Sequence, residues 1–275
     1  MKRRGSPTPD RTDFTRPRHV PGLELVSASY ADRRFPIHAH PEFVVGAISG
    51  GSERLTIGGR DRLLRPGDTL FLNPGEMHAN ASIGAERLRY SVFYIPEALL
   101  QDALTTADGV PSNLGSFPAS SSSSTELYRL VAGAHAALRS SADALEQQSA
   151  FVRLATGLAH HCGISQARTA VAYNAKVARA LDYMHDQFRL NPSLSMLAEV
   201  AGLSACHLLR SFTRQVGLSP VAYRNLLRVM AARESLRSGE TLAASAIDAG
   251  FADQSHMTRA FQKVLGATPG RYARQ

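Results

Sequence analysis

Three histidines and one glutamate in the first third of the chain carry side chains that can bind metal ions or polar ligands. His38, His40 and Glu42 alternate in HAHPEF, so on an extended strand they project to one face, and His78 comes from a later strand or its end. Three imidazoles and a carboxylate could bind a divalent transition metal. The same side chains could instead select a small molecule in a mainly apolar pocket.

A second group of interest lies in a repeat near the end of the chain. The segment HLLRSFTRQVGLSPVAY at 207–223 returns as HMTRAFQKVLGATPGRY at 256–272. Six identical pairs lie 49 residues apart: His207/His256, Arg210/Arg259, Phe212/Phe261, Gly217/Gly266, Pro220/Pro269 and Tyr223/Tyr272. Self-similarity at a fixed period indicates one structural unit used twice. From residue 175 onward Lys and Arg outnumber Asp and Glu by 13 to 7, which favours a polyanionic partner.

Each copy contains the pattern of a helix-turn-helix. In the first copy a short helix is predicted to end at Gly202, which can adopt the left-handed conformation of a tight turn, and a second helix to begin after the cap Ser204. The second copy has its turn at 249–251 and Asp253 as the predicted cap. The spacing of the apolar residues predicts the buried positions: Leu197, Ala198, Ala201, Leu208 and Phe212 in the first copy, and Met257 and Phe261 in the second.

A single long helix is predicted between the two copies. Ser219 is the cap, Pro220 occupies the first helical position and Gly239 follows the end. A helix from Pro220 to about Ser238 is about 28 Å long. Major-groove faces on one side of B-DNA recur about every 34 Å, so this helix could hold two recognition helices against the same face of a duplex.

Residues 175–275 closely resemble the DNA-binding region of the AraC/XylS family of bacterial transcription regulators. The match covers LAEVAGLSACHLLRSFTRQVGLSPVAYRNLLRVMAARESL and AIDAGFADQSHMTRAFQKVLGATPGRYA, the double helix-turn-helix of that family. The resemblance implies that outward residues of the two second helices meet the DNA bases. Carried over by position, they are Ala205, Cys206, Leu209, Arg210, Gln254, Ser255, Thr258 and Arg259.

These residue types suggest how each reader would work. Arg259 could pair with guanine or phosphate, and Gln254 with adenine. Cys206 and Leu209 stand where larger polar or aromatic readers are common in the family, so the first helix would depend on Arg210 and on contacts with thymine methyl groups. The repeated histidines beside the readers favour a packing or phosphate role.

Residues 21–95 carry the pattern of many short strands, which predicts a sandwich or a small barrel. The segment 38–78, with its Pro66-Gly67-Asp68 turn and its closing NPGEMH, resembles the cupin-type sensor domain of many family members. Metal-binding cupins usually place the carboxylate four or more residues after the second histidine, where Val44 and Val45 stand here. We therefore expect no metal and no cofactor, and assign effector contacts as follows: His38, His40, Glu42 and His78.

The predicted fold class is α+β: an N-terminal cupin-like β-barrel with a helical pair, then a C-terminal all-α double helix-turn-helix domain. The predicted segments are a disordered basic arm (1–19), a cupin-like effector-sensing domain (20–112), a linker (113–125), a helical dimerisation element (126–164), a second linker (165–174) and the DNA-binding domain (175–275). The helical pair could form a dimer interface or only cover one side of the barrel.

The amino-acid composition limits the class of protein to which the chain can belong. No run approaches the roughly 18 apolar residues of a membrane helix, and the two cysteines form no disulfide framework, so a cytoplasmic protein is expected. The predicted function is an effector-responsive, sequence-specific transcription regulator, not an enzyme. Its expected partners are double-stranded DNA, a small-molecule effector, a second copy of the chain and, if it activates transcription, RNA polymerase. The alternatives are a metal-dependent cupin enzyme fused to a DNA-binding module, and an architectural DNA-binding protein without an effector.

Overall fold

The computed structural model describes residues 9–108, 115–162 and 173–274. The described residues group into two compact units, one holding most of the chain before residue 163 and one holding residues 35–39, residues 77–79 and the described chain from residue 173. No helix in the described ranges has the length and apolar character needed to cross a bilayer.

Ten strands lie in the described residues before 163. They are β1 (Arg11–Thr15), β2 (Glu24–Tyr30), β3 (Arg34–His38), β4 (Phe43–Gly50), β5 (Ser52–Ile57), β6 (Arg60–Leu64), β7 (Thr69–Leu72), β8 (His78–Ile83), β9 (Leu88–Ile95) and β10 (Ser121–Ser122). Their hydrogen bonds define a six-stranded sheet in the order β1-β2-β9-β4-β7-β10 and a four-stranded sheet in the order β3-β8-β5-β6. The α+β class is confirmed, with two sheets in place of one closed barrel.

Cross-strand register sorts the side chains of the six-stranded sheet between its two faces. Leu25 pairs with Phe93, Phe93 with Val45, and Val45 with Phe71, which gives one apolar row across four strands. This row belongs to a core shared with the helices. Because side chains alternate along a strand, the neighbouring positions, such as Tyr94, face the other way.

Three helices complete this unit: α1 (Glu97–Asp108), α2 (Thr125–Ser140) and α3 (Ala144–Cys162). Apolar residues of all three helices join the row above in one core, among them Leu100, Leu127, Val131, Leu138, Phe151, Leu154 and Leu158. The helices α2 and α3 pack closely, since a Cβ added to Gly157 would lie 2.3 Å from a methyl carbon of Leu130. Two helices with a break near Ser141 agree with the helical pair predicted from the sequence.

Two predicted segments differ from the structure. Within the predicted disordered arm, Arg11–Thr15 forms β1 and pairs with β2 along its whole length, because Phe14 and Thr12 alternate inward and are buried; residues 1–8 lie outside the described residues. Within the predicted linker 113–125, Phe117 is buried and its backbone N–H donates to Asn73 Oδ1 at 2.7 Å. Helix α1 was not predicted, and most of the second predicted linker lies outside the described residues.

The C-terminal unit is helical. Its helices are α4 (Ala175–Asp186), α5 (Leu194–Ala201), α6 (Ala205–Val216), α7 (Pro220–Arg237), α8 (Leu242–Asp248), α9 (Gln254–Leu265) and α10 (Pro269–Ala273). All seven residues predicted to be buried are buried: Leu197, Ala198, Ala201, Leu208, Phe212, Met257 and Phe261. The sequence periodicity therefore predicts the inward face of each helical hairpin correctly.

Candidate functional site

The first helix-turn-helix is formed by α5 and α6. Gly202 ends α5 with φ +61°, and its N–H donates to carbonyls of the last turn. Ser204 begins α6 by accepting a hydrogen bond from the His207 N–H at 3.4 Å. These are the turn and the cap predicted from the sequence, and both satisfy backbone groups that a helix end leaves without an intrahelical partner.

The outward face of α6 carries the first group of predicted readers. Cys206 and Arg210 are exposed, and Leu209 retains 40% of its surface exposure, whereas Ala205 is half-buried. An exposed leucine beside an exposed arginine on a helix of otherwise polar outer surface combines an apolar contact with a charged hydrogen-bond donor. This is the pair of contacts that a thymine methyl group and a neighbouring guanine or phosphate would use.

The second helix-turn-helix is formed by α8 and α9. Gly250 occupies the turn with φ +80°, and an added Cβ would lie 2.7 Å from the Arg189 carbonyl oxygen. Asp253 caps α9 by accepting from the His256 N–H at 2.6 Å. The His256 ring packs edge-on against Phe251, with centroids 5.2 Å apart, which favours a packing role for this histidine.

The outward face of α9 carries the second group of predicted readers. Gln254, Ser255 and Arg259 are exposed, and Thr258 is half-buried. The Thr258 hydroxyl donates to the Gln254 carbonyl at 2.8 Å, so its proton is already used within the helix. Gln254 and Arg259 therefore offer the hydrogen-bond donors of this face that are suited to bidentate base contacts.

The repeat in the sequence corresponds to a repeated aromatic contact. Phe212 meets Tyr223 at 5.7 Å between ring centroids, and Phe261 meets Tyr272 at 5.5 Å, both edge-on. In each copy the phenylalanine comes from the second helix of the hairpin and the tyrosine from the helix that follows it. The same pair thus fixes the direction in which the chain leaves each hairpin.

Helix α7 connects the two hairpins and is held by a buried arginine. It has 18 residues, which makes it about 27 Å long. Arg228 is 2% exposed, and its guanidinium donates to the carbonyls of Phe188, Arg189 and Leu190 at 2.8, 2.9 and 2.8 Å. This clamp joins α7 to the segment after α4, and the sequence analysis did not identify it.

Three of the four predicted effector contacts lie together. His38, His40 and His78 are buried, and each offers a ring nitrogen within 4.8 Å of the other two. The rings of His38 and His78 are 4.2 Å apart between centroids, and His40 lies edge-on to Tyr94 at 4.9 Å. Glu42, which sequence parity placed with them, is half-buried and is not a member of this cluster. The reason is that the chain bends at Pro41 and Glu42, so Glu42 does not continue the alternation of His38 and His40.

One member of the histidine cluster, His38, is uncharged near neutral pH. Burial lowers the pKa of His38 to about 4, so the ring is uncharged near neutral pH. Its Nδ1 lies 2.7 Å from the Pro36 carbonyl oxygen; because a carbonyl only accepts, Nδ1 carries the proton and Nε2 keeps its lone pair. A neutral imidazole fixed in this way can accept from a bound ligand or bind a metal ion.

The spacing of the cluster is compatible with a metal ion as well as with a hydrogen-bonded ligand. Zinc ligands at about 2.0–2.1 Å from a tetrahedral ion lie about 3.3 Å from one another. The ring nitrogens of the cluster all lie within 4.8 Å of one another, so small shifts of the rings would bring them to this spacing.

Glu53, a buried residue of β5, was not among the site residues predicted from the sequence. It is 1% exposed and accepts from Asn80 Nδ2 at 2.8 Å. Strand alternation could have identified it, because Glu53 shares parity with the buried Leu55 while Arg54 between them is exposed.

Comparison with known proteins agrees with both halves of the chain. Residues 20–155 match the model of the AraC-like ligand binding domain, and residues 197–275 match a helix-turn-helix domain. An uncharacterized HTH-type transcriptional regulator of Bacillus subtilis, YbfI, is 28% identical over 226 residues, which cover 82% of each chain.

Solved structures of ToxT from Vibrio cholerae share the fold across both units. One covers 91% of this chain and 97% of its own, with a TM-score of 0.54 and 12% identity. ToxT with a bound unsaturated fatty acid covers 97% and 96%, with a TM-score of 0.52 and 12% identity. A ligand-binding domain, a helix-turn-helix domain and the double-hairpin architecture lead to one conclusion: the chain belongs to the AraC family of transcriptional regulators.

Proposed function

We propose that this regulator binds promoter half-sites as a homodimer and that a small molecule in its N-terminal unit changes this binding. The observation that carries the proposal is the pair of capped hairpins joined by α7, each with exposed polar or basic residues on its second helix. The proposed readers are those assigned above, with Arg210 and Arg259 as the charged contacts. Phosphate neutralisation by the surrounding basic residues would make the affinity strongly dependent on salt.

The proposed effector contacts are His38, His40 and His78, with Glu42 at the margin. Their burial and the neutral state of His38 support a pocket that forms hydrogen bonds without a fixed charge. ToxT, which shares this fold, is solved with a bound unsaturated fatty acid, which supports a small-molecule ligand for this chain as well. Effector binding would shift the population between arrangements of the two DNA-binding units of a dimer.

The helical pair α2 and α3 is the proposed dimerisation element. Leu145 and Val152 of α3, seven residues apart and so on one face of the helix, are 73% and 37% exposed. They are the apolar side chains that a second copy could cover. If the regulator activates transcription, it also contacts RNA polymerase.

DNA binding of the full chain with a panel of small metabolites tests this function. We expect one metabolite to change affinity by about 5- to 150-fold, the usual range of a coupling free energy. His40→Ala and His78→Ala should remove this response and leave binding without effector nearly unchanged. The matched control is His160→Ala, on the exposed surface of α3. DNA affinity indifferent to every metabolite would favour an architectural role instead.

A metal-dependent enzyme fused to the DNA-binding unit is the second candidate, and the histidine cluster is the observation in its favour. Elemental analysis of the purified protein distinguishes the two. Stoichiometric zinc or iron, lost in His78→Ala together with a large fall in melting temperature, would establish a metal site. The proposed regulator binds no stoichiometric metal and keeps its melting temperature in that variant.

A further inference from the structure

Glu53 has a buried carboxyl oxygen that no residue of the described structure satisfies. One oxygen of this carboxyl group, Oε1, accepts from Asn80 Nδ2 at 2.8 Å. The other, Oε2, is buried and has no hydrogen-bond partner among the described residues. Burial of a carboxyl group with half of its hydrogen bonds missing destabilises a fold. A residue kept at such a position is explained if something outside the chain supplies the missing hydrogen bond.

The surroundings of Glu53 are polar and aromatic. Tyr90 of β9, in the other sheet, is close enough for its pKa to be raised first by burial and then by Tyr30 and Glu53. The rings of Tyr30 and Tyr90 are 5.8 Å apart, and the Tyr30 hydroxyl lies 2.7 Å from Thr12 Oγ1. Hydroxyl groups and aromatic faces of this kind hold hydroxylated or cationic molecules.

The charge of Glu53 further restricts the chemical class of the ligand. Burial raises the pKa of Glu53 to about 7, and the hydrogen bond from Asn80 only partly opposes this. Neither cause is a positive charge, so no arginine or lysine among the described residues neutralises the carboxylate. An anionic ligand group at this position would be repelled by the ionised form of Glu53, whereas a hydroxyl or ammonium group would satisfy Oε2 directly.

We propose that Glu53 is an effector-binding residue whose Oε2 accepts a hydrogen bond from a hydroxyl or ammonium group of a small, uncharged or cationic effector. The inference rests on the proposed effector function and names the chemical class of the effector. It also separates this chain from ToxT, whose bound fatty acid is an anion near neutral pH. Asn80 is the positioning residue that holds the carboxyl group through Oε1.

The test measures thermal stabilisation of the full chain by three sets of four- to six-carbon probes: polyols and sugars, primary amines, and carboxylates. We expect stabilisation from the first or the second set, which distinguishes a hydroxyl from an ammonium donor. The dissociation constant of the best probe should rise about tenfold or more in Glu53→Gln and in Glu53→Leu. Glu86→Gln, at an exposed position of the same unit, is the matched control and should bind like the wild type.

Each result supports or overturns the assignment. Stabilisation by carboxylates, by no set, or equally in wild type and Glu53→Gln would overturn it. The isosteric glutamine can still accept from Asn80, so this variant remains informative if the leucine variant fails to fold. DNA binding measured on the same samples distinguishes a failure of the Glu53 assignment from a failure of the proposed effector function. A probe that changes DNA affinity equally with and without Glu53 refutes only the role of Glu53, and bound probes that never change DNA affinity refute the effector function.

Discussion

Replacing Arg228 with alanine should strongly destabilise the C-terminal unit. The guanidinium group is buried and donates to three carbonyls of Phe188–Leu190 at 2.8–2.9 Å, and to Asn191 Oδ1 at 3.2 Å. Alanine removes all four hydrogen bonds and leaves a cavity beside α7. Water can reach part of this segment, because Arg189 and Leu190 are exposed. We therefore expect a loss of about 3 kcal/mol in the free energy of unfolding.

Two further variants calibrate this value. Arg228→Lys keeps the charge but offers a compact ammonium group in place of a planar fork, so it should recover about half of the loss. Arg237→Ala, at the end of the same helix, removes a partly exposed pair with Glu234 at 3.1 Å. That change should lower the free energy of unfolding by less than about 1 kcal/mol.

Urea unfolding followed by circular dichroism measures these differences, since the chain has no tryptophan for fluorescence. The account requires Arg228→Ala to shift the transition of the helical unit well beyond the shift of Arg237→Ala. Equal shifts for the two variants, or a loss below about 1 kcal/mol for Arg228→Ala, would show that the clamp does not hold α7 in place.

Three other changes test the hairpins and the N-terminal core. Gly250→Ala should lower the free energy of unfolding by about 2–3 kcal/mol, and Gly239→Ala by about 1 kcal/mol. Both glycines have positive φ, but of the two only Gly250 would place an added Cβ against a carbonyl oxygen, at 2.7 Å. Equal urea midpoints for the two variants would contradict this. Arg259→Ala should lower DNA affinity by about 1–3 kcal/mol and relax preference at one base pair, whereas uniform weakening on all sequences would assign it to phosphate. Burial lowers the pKa of His135 to about 4, so its contribution to stability is present above the unfolded pKa of about 6.5 and is lost as pH falls towards 4. By pH 5 the free energy of unfolding should have fallen by about 2 kcal/mol through His135. His135→Gln should remove this fall when melting temperature is measured against pH. The same pH dependence in wild type and variant would contradict the role given to His135.

The parts of the C-terminal unit that the sequence predicted correctly depend on local chemistry. Gly202 ends α5 and Asp253 begins α9 because each residue type satisfies its own helix terminus. The buried positions, such as Phe212, follow from helical spacing. Arg228 could not be predicted in this way, because its partners lie about 40 residues earlier in the chain and become neighbours only after α7 packs.

The N-terminal unit was predicted less completely because its order depends on distant pairing. The segment of β1 is rich in charged residues and was therefore predicted to be disordered. It forms a strand because it pairs with β2, and Thr12 and Phe14 lie on its inward side. Phe117 is held by the side chain of Asn73, far away in the sequence. The three histidines were predicted as a group from parity and residue type, whereas Glu42 lies outside that group because the chain bends at Pro41 and Glu42.

The most direct test of the double-hairpin account is selection of binding sites for the full chain from random duplex DNA, with α6 and α9 variants in parallel. We expect two sequence blocks in each half-site, with centres about one helical turn, 10–10.5 base pairs, apart. One block should weaken in Arg210→Ala and the other in Arg259→Ala. A single block, or two blocks that weaken together in either variant, would contradict the claim that the two hairpins contact DNA as separate readers on one helix.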